Sequence, residues 1–237
     1  MLSSRFTRVK LVSKAFNKYF SGSNNNYVCP ASLTLVRKPA PEVKGTAWWN
    51  NEFKQISLDT FQGKWVCLFF YPLDFTFVCP TEIVDFNTKS EEFAKLNCQV
   101  IGCSVDSHFS HREFALKPRE QGGLAPLSIP LLSDMTKSIS KKFGVLVDSE
   151  GDGLKGVSLR GTFLIDDKRV LRHMTINDAN VGRNVDETLR LLSAFQYADK
   201  HGEVCPSGWT PGQKAMEPNV NSKKLSDFWQ KEHAAKH

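Results

Sequence analysis

Cys79 stands in the run Pro72-Leu73-Asp74-Phe75-Thr76-Phe77-Val78-Cys79-Pro80-Thr81-Glu82, between an apolar stretch that reads as a strand and a longer stretch with helical periodicity. In an open α/β sheet, chemistry gathers where a strand ends and the next helix begins. Pro80 suits the first helical position, where its missing N–H costs nothing, and Glu82 suits the electropositive first turn. Free amides and the helix dipole at that end favour a thiolate, so Cys79 reads as a reactive sulfur nucleophile. Thr76, three residues earlier, is placed to turn its hydroxyl to the same side and bond an oxygen-containing substrate.

The elements that must hold this site follow from the hydrophobic pattern. Residues 65–71 are apolar on both faces, as in a central strand covered from both sides. Ile83, Phe86, Phe93 and Leu96 recur on one face of a helix, and residues 99–105 form a second apolar run. Strand, helix and strand at this spacing make a βαβ unit. Phe114 marks a further helix before the Gly122-Gly123-Leu124 loop, followed by a short run at 129–132 and a brief helix at 138–143. Residues 162–166 and 170–174, joined through Asp166-Asp167-Lys168, predict a β-hairpin. Val185, Leu189, Leu192 and Phe195 then mark an amphipathic helix. Beyond Gly202, three prolines and two glycines leave room only for a short helical face of Leu225, Phe228 and Trp229. The pattern predicts one α/β domain from about residue 40 to 200 with a C-terminal extension.

Composition sets the outer bounds. With 237 residues, 41% hydrophobic and 24% charged, the chain can bury a sizeable core, which excludes a disordered or collagen-like class. Its longest apolar run, 65–71, falls far short of the roughly 18 to 20 residues that span a bilayer, so no membrane segment is expected. The net charge of +6 invites a nucleic-acid reading. However, seven basic residues precede the first acid, Glu42, and the remainder is close to neutral, so no nucleic-acid partner is expected.

The leader is basic, acid-free and rich in Ser and Asn, with Leu2, Phe6, Val9, Phe16 and Phe20 largely on one helical face. It reads as a mitochondrial targeting peptide over about residues 1–35, the alternative being a basic arm that binds acidic surfaces. Lys10, Lys14 and Lys18 interrupt every stretch that could serve as a secretory signal.

The six cysteines, Cys29, Cys67, Cys79, Cys98, Cys103 and Cys205, form no C-x-x-C pair and no zinc spacing, so neither metal nor cofactor is implied. A reducing compartment also argues against structural disulfides. Cys67 and Cys103 sit inside apolar runs and read as small hydrophobes, while Cys98 precedes a strand without a chemical hint. His108 and His111 could share a helical face, but no third ligand is apparent and a surface position is expected.

Residues 70–80, Phe-Tyr-Pro through Thr-Phe-Val-Cys-Pro, resemble the peroxidatic motif of the typical 2-Cys peroxiredoxins. Three more segments resemble that family in order: residues 159–166 around Arg160, residues 181–187 around Arg183, and residues 201–209 around Cys205. The likeness spans roughly residues 36–220 and, with the basic leader, lies nearest the mitochondrial, thioredoxin-dependent members.

The resemblance implies a thioredoxin-like fold, a central mixed β-sheet flanked by helices, over residues 36–200, with an extension over 201–237 that carries the second cysteine. It further implies that Cys79 reduces hydrogen peroxide and organic hydroperoxides, with Pro72, Thr76 and Arg160 completing the pocket. Cys205 of a second subunit would resolve the sulfenic acid as an intersubunit disulfide, thioredoxin would reduce that bond, and the dimers would assemble into a ring. Arg183 stays open between a solvated loop charge and a second cation near the pocket, and Glu82 between orienting such arginines and capping the helix.

Other classes remain to be separated. A chaperone-like holdase or redox relay would use the thiols only to switch assembly, and whether client protection survives Cys79→Ser separates it from a peroxidase. A thioredoxin-type oxidoreductase is disfavoured because Cys79-Pro80-Thr81-Glu82 lacks a second cysteine. Members sensitive to over-oxidation carry a Gly-Gly-Leu-Gly loop and a Tyr-Phe pair in the terminal helix. This chain has Ala125 in the loop and Phe228-Trp229 in the helix. The expectation is a tail that docks less firmly and a Cys79 less easily driven to sulfinic acid.

Overall fold

The computed structural model describes residues 34–233, so the leader and Cys29 lie outside the described residues. Seven strands form one sheet: β1 (Lys44–Trp49), β2 (Glu52–Ser57), β3 (Trp65–Phe70), β4 (Cys98–Ser104), β5 (Leu131–Ser133), β6 (Arg160–Ile165) and β7 (Leu171–Asn177), in the order β2-β1-β5-β4-β3-β6-β7. β3 runs parallel to β4 and antiparallel to β6, making the sheet mixed, as expected. Six helices accompany it among the described residues: α1 (Val78–Thr88), α2 (Ser90–Lys95), α3 (His108–Leu116), α4 (Ser138–Lys142), α5 (Val185–His201) and α6 (Lys223–His233). None is long and apolar enough to cross a membrane.

β3 holds the sheet's centre because every one of its six side chains is buried. Trp65, Cys67 and Phe69 face one cluster with Ile83, Phe86, Phe93, Phe114 and Leu189, while Val66, Leu68 and Phe70 face a second with Ile101, Ile139, Phe143 and Phe163. Fully burying each such side chain is worth about 1.5–3 kcal/mol, which fixes the strand between two helical layers. The C-terminal end of β3 is thereby a rigid platform for the segment that carries Cys79.

Several expectations are corrected. The helix read across Ile83 to Leu96 is two, because Ser90 Oγ donates to the Asn87 carbonyl at 2.7 Å and the Asn87 side chain turns away to the Pro126 carbonyl and the Ser128 amide. Such local bonds compete with the helix ladder. The hairpin of β1 and β2 carried no expectation, although its Asn50-Asn51 turn, with φ of 54° and 60°, is the two-residue type in which asparagine tolerates left-handed backbone. Cys98 does not precede β4 but begins it, and is buried.

The hairpin of β6 and β7 forms as read, with Asp166 Oδ1 accepting from the Lys168 and Val170 amides to close its turn. α5 ends at Gly202, which takes φ of 66°. The extension then folds back through a bridge in which Val204 and Met216 exchange backbone hydrogen bonds.

Candidate active site

β3 ends at Phe70, and the chain turns through Pro72 and Asp74 into α1. α1 begins at Val78, so Cys79 is its second residue and Pro80 its third, two places further in than the first position expected for Pro80. Pro80 still falls among the first four positions, whose amides have no helical partner.

The turn before α1 is over-determined. Phe75 has φ of 55°, an uncommon state for a bulky residue. The neighbouring bonds hold it there. The Asp74 amide donates to Asp106 Oδ2 at 3.0 Å, Asp74 Oδ1 accepts from Tyr71 at 2.9 Å, and Asp74 Oδ2 accepts from Ser110 Oγ at 2.7 Å. His111 Nδ1 lies 2.8 Å from the same Oδ2, and its Nε2 lies 3.2 Å from the Leu132 carbonyl. His111 is thus a fully buried brace and not a surface residue. Two long-range partners, invisible in a local pattern, draw it inside.

Cys79 is fully buried, and Arg160, at the start of β6, places Nη1 3.4 Å from its Sγ. The same Nη1 lies 2.6 Å from Glu82 Oε2, and Arg160 Nε donates to the Ala179 carbonyl at 2.7 Å. Arg183 donates from its backbone amide and Nε to Glu82 Oε1, at 2.9 and 2.8 Å, and from Nη2 to Oε2 at 3.0 Å. Its Nη1 reaches the carbonyls of Phe70 and Gly161 at 2.8 and 2.7 Å. Both open readings close: Arg183 belongs to the site, and Glu82 orients two arginines and does not cap the helix.

Two buried guanidinium groups share one buried carboxylate. The cluster therefore keeps one positive charge uncompensated, and a donor of that charge points at the Cys79 sulfur. A permanent cation so placed can hold an anionic oxygen in a water-poor site, where such bonds are strong. Thr76 Oγ1 donates to the Leu73 carbonyl at 3.0 Å, so toward an incoming group it offers an acceptor oxygen. Pro72 is buried at the end of the strand and, lacking an N–H, presents only apolar surface from its ring.

Cys205 is not part of this cluster. Its Sγ donates to the Ala194 carbonyl of α5 at 3.6 Å, and both Cys79 and Cys205 are free thiols. Burial pushes the Cys205 thiol up, Arg190 pulls it down and Glu203 adds to the rise. No group of three or more His, Cys, Asp or Glu side chains among the described residues could hold a metal. The φ of Ala125 is not positive, and Phe228 is 8% exposed.

The AhpC/TSA family profile matches residues 36–174, and that of the C-terminal domain of 1-Cys peroxiredoxin matches residues 194–231. Peroxiredoxin-2 of Bos taurus is 56% identical over 197 residues, which cover 83% of this chain and 95% of the relative. The mitochondrial thioredoxin-dependent peroxide reductase of Pongo abelii is 53% identical over 214 residues, 90% of this chain and 79% of the relative. Among solved structures, the reduced 2-Cys peroxiredoxin of Plasmodium vivax superposes with a TM-score of 0.74 at 42% identity, covering 78% of this chain and 94% of that one. On the profile and on relatives more than half identical over most of both chains, this chain belongs to the peroxiredoxins of the AhpC/TSA family.

Proposed function

We propose that this chain is a thiol-dependent peroxidase in which Cys79 is the nucleophile and Cys205 of a second copy is the resolving thiol. The observation that carries the reading is the Arg160 guanidinium held 3.4 Å from the Cys79 sulfur. The sulfur attacks the distal oxygen of hydrogen peroxide or an organic hydroperoxide, the O–O bond breaks, and the thiol proton leaves with the hydroxide or alkoxide as water or alcohol. Cys79 is left as a sulfenic acid. Arg160 stabilises the oxygen that gathers charge, Thr76 accepts from the peroxide hydroxyl, and Pro72 walls the site against water.

Because Cys79 is fully buried and Cys205 is bonded to α5, neither sulfur meets the other without movement. Disulfide geometry brings Cα atoms within about 7 Å, so the first turn of α1 must open before the bond can form. The resolving step makes a covalent homodimer, dimers close into a ring, and thioredoxin returns the thiols. The peroxide reductase named above supports thioredoxin as reductant and, with the basic composition of residues 1–35, supports a targeting peptide leading to the mitochondrial matrix. With Ala125 and Phe228-Trp229 where the sensitive members carry a glycine and a Tyr-Phe pair, Cys79 is less easily driven to sulfinic acid than in those members. Early, complete inactivation in a peroxide titration under turnover would sink that point.

The test is a non-reducing gel of the reduced full-length chain given one equivalent of hydrogen peroxide, beside Cys79→Ser and Cys205→Ser. A covalent dimer in the wild type that vanishes in both variants is the expected result. Oxidation of Cys79 with no covalent dimer would overturn the resolving role of Cys205.

A further inference from the structure

The segment that carries Cys205 is fastened along one face of α5. Cys205 Sγ is bonded to the Ala194 carbonyl, and one helical turn earlier Arg190 Nη1 donates to the Trp209 carbonyl at 2.8 Å. Trp209 is 1% exposed, its Nε1 donates to the Gln213 carbonyl, and its ring lies 4.8 Å from that of Tyr197. The remaining donors of Arg190, Nε and Nη2, grip both oxygens of Glu187, so the guanidinium is fixed in place.

We infer that Arg190 is a positioning residue for the resolving step: fixed by Glu187 and by the Trp209 carbonyl, it keeps its charge one helical turn from the point where Cys205 rests on α5. This rests on Cys205 being the resolving thiol. The charged and titratable groups that face Cys205 are Arg190 and Tyr197 from α5 and Glu203 from its own segment, with Lys224 of α6 engaging Glu203 at 3.3 Å. Burial and Glu203 act against ionisation, and Arg190 is the group that opposes them.

In the step itself the Cys205 thiolate attacks the Cys79 sulfenic sulfur. The S–S bond forms as the S–O bond breaks, and the departing hydroxide takes up the proton that Cys205 released. Losing the cation has two opposed effects on that attack. Each tenfold loss of thiolate is partly offset because a more basic thiolate is the better nucleophile, leaving resolution about threefold slower at neutral pH. Once the pH is high enough to ionise Cys205 in both proteins, the variant is the faster one. The two pH profiles therefore cross.

The experiment is stopped-flow tryptophan fluorescence of the reduced full-length chain after one equivalent of hydrogen peroxide, from pH 6 to 10. It compares wild type, Arg190→Met, Arg190→Lys and Glu203→Gln, with the covalent dimer followed on non-reducing gels. Arg190→Met leaves the oxidation phase unchanged and gives a crossing resolution profile. Arg190→Lys stays near wild type, and Glu203→Gln moves the profile the opposite way. A parallel loss of rate at every pH, or a profile that does not move while the wild-type disulfide forms, overturns the role of Arg190 alone. Absence of the disulfide in the wild type overturns the assignment of Cys205 and this inference with it.

Discussion

The Arg160 nitrogen that lies 3.4 Å from Cys79 Sγ is the same one that lies 2.6 Å from Glu82 Oε2. One hydrogen-bonding group therefore ties the Cys79 sulfur to a buried carboxylate that a second arginine also holds, from a third part of the chain. Glu82 comes from α1, Arg160 from β6 and Arg183 from the loop before α5. The site is an ion cluster that closes only when all three elements are in place.

Glu82→Gln removes the only anion of that cluster and leaves two guanidinium groups buried and uncompensated, each with side-chain exposure of 4%. Losing one partner of a buried pair costs about 3–5 kcal/mol. Urea unfolding of the variant should show a loss in that range together with slower peroxide consumption. An unchanged midpoint would mean that the cluster adds nothing to stability.

Arg160→Met separates stability from chemistry. Glu82 keeps its three bonds to Arg183, so the fold holds, while the donor beside the sulfur is gone. Removing one such donor slows a reaction by roughly 10²–10³-fold. The oxidation phase in stopped-flow fluorescence carries the loss, and a rate within a few-fold of wild type would show that Arg160 does not act on the oxygen.

How much of this could be read in advance depends on distance along the chain. Cys79 was marked by a local coincidence of strand end, proline and helix start, and β3 by an unbroken apolar run; neither needs information from elsewhere. Arg183 and Glu82 kept two readings each, because charge alone does not say whether a side chain finds a partner 101 residues away. The surface position expected of His111 fails for the same reason. Its partners Asp74 and Leu132 lie 37 and 21 residues off, and a histidine with no visible partner defaults to the surface. The Asn50-Asn51 turn is different, because its signal is local and needs no distant partner.

His111→Ala tests the brace. Asp74 would keep Tyr71 and Ser110 as donors but lose the imidazole 2.8 Å away, and a cavity would open in a fully buried site. The expected loss is about 3 kcal/mol or more in urea unfolding. Because Asp74 also holds the turn at Phe75, peroxide oxidation should slow in proportion to how far that turn loosens. Normal stability in the variant would rule the brace out.

Three buried thiols make the fold weaken as the pH turns alkaline. Burial pushes Cys67 up to about 12, against a small opposing pull from Arg183. Burial likewise holds Cys98 and Cys103 well above their ordinary value of 9.0, with Cys67 adding to the first and Asp134 to the second. Below about pH 9 the folded and unfolded chains both keep these protons, and the thiols do not make stability depend on pH. Above it the unfolded chain releases them while the native state does not, so stability falls as pH rises until the native thiols ionise too. Each thiol contributes about 1.4 kcal/mol per pH unit over that window. Urea midpoints should therefore hold from pH 8 to 9 and decline steeply by pH 10 to 11. Cys67→Ala would begin less stable at pH 8 because of the cavity it leaves, yet decline with a shallower slope, by about 1.4 kcal/mol per pH unit. Equal slopes in the two proteins would mean that the Cys67 thiol ionises as readily inside the sheet as outside it.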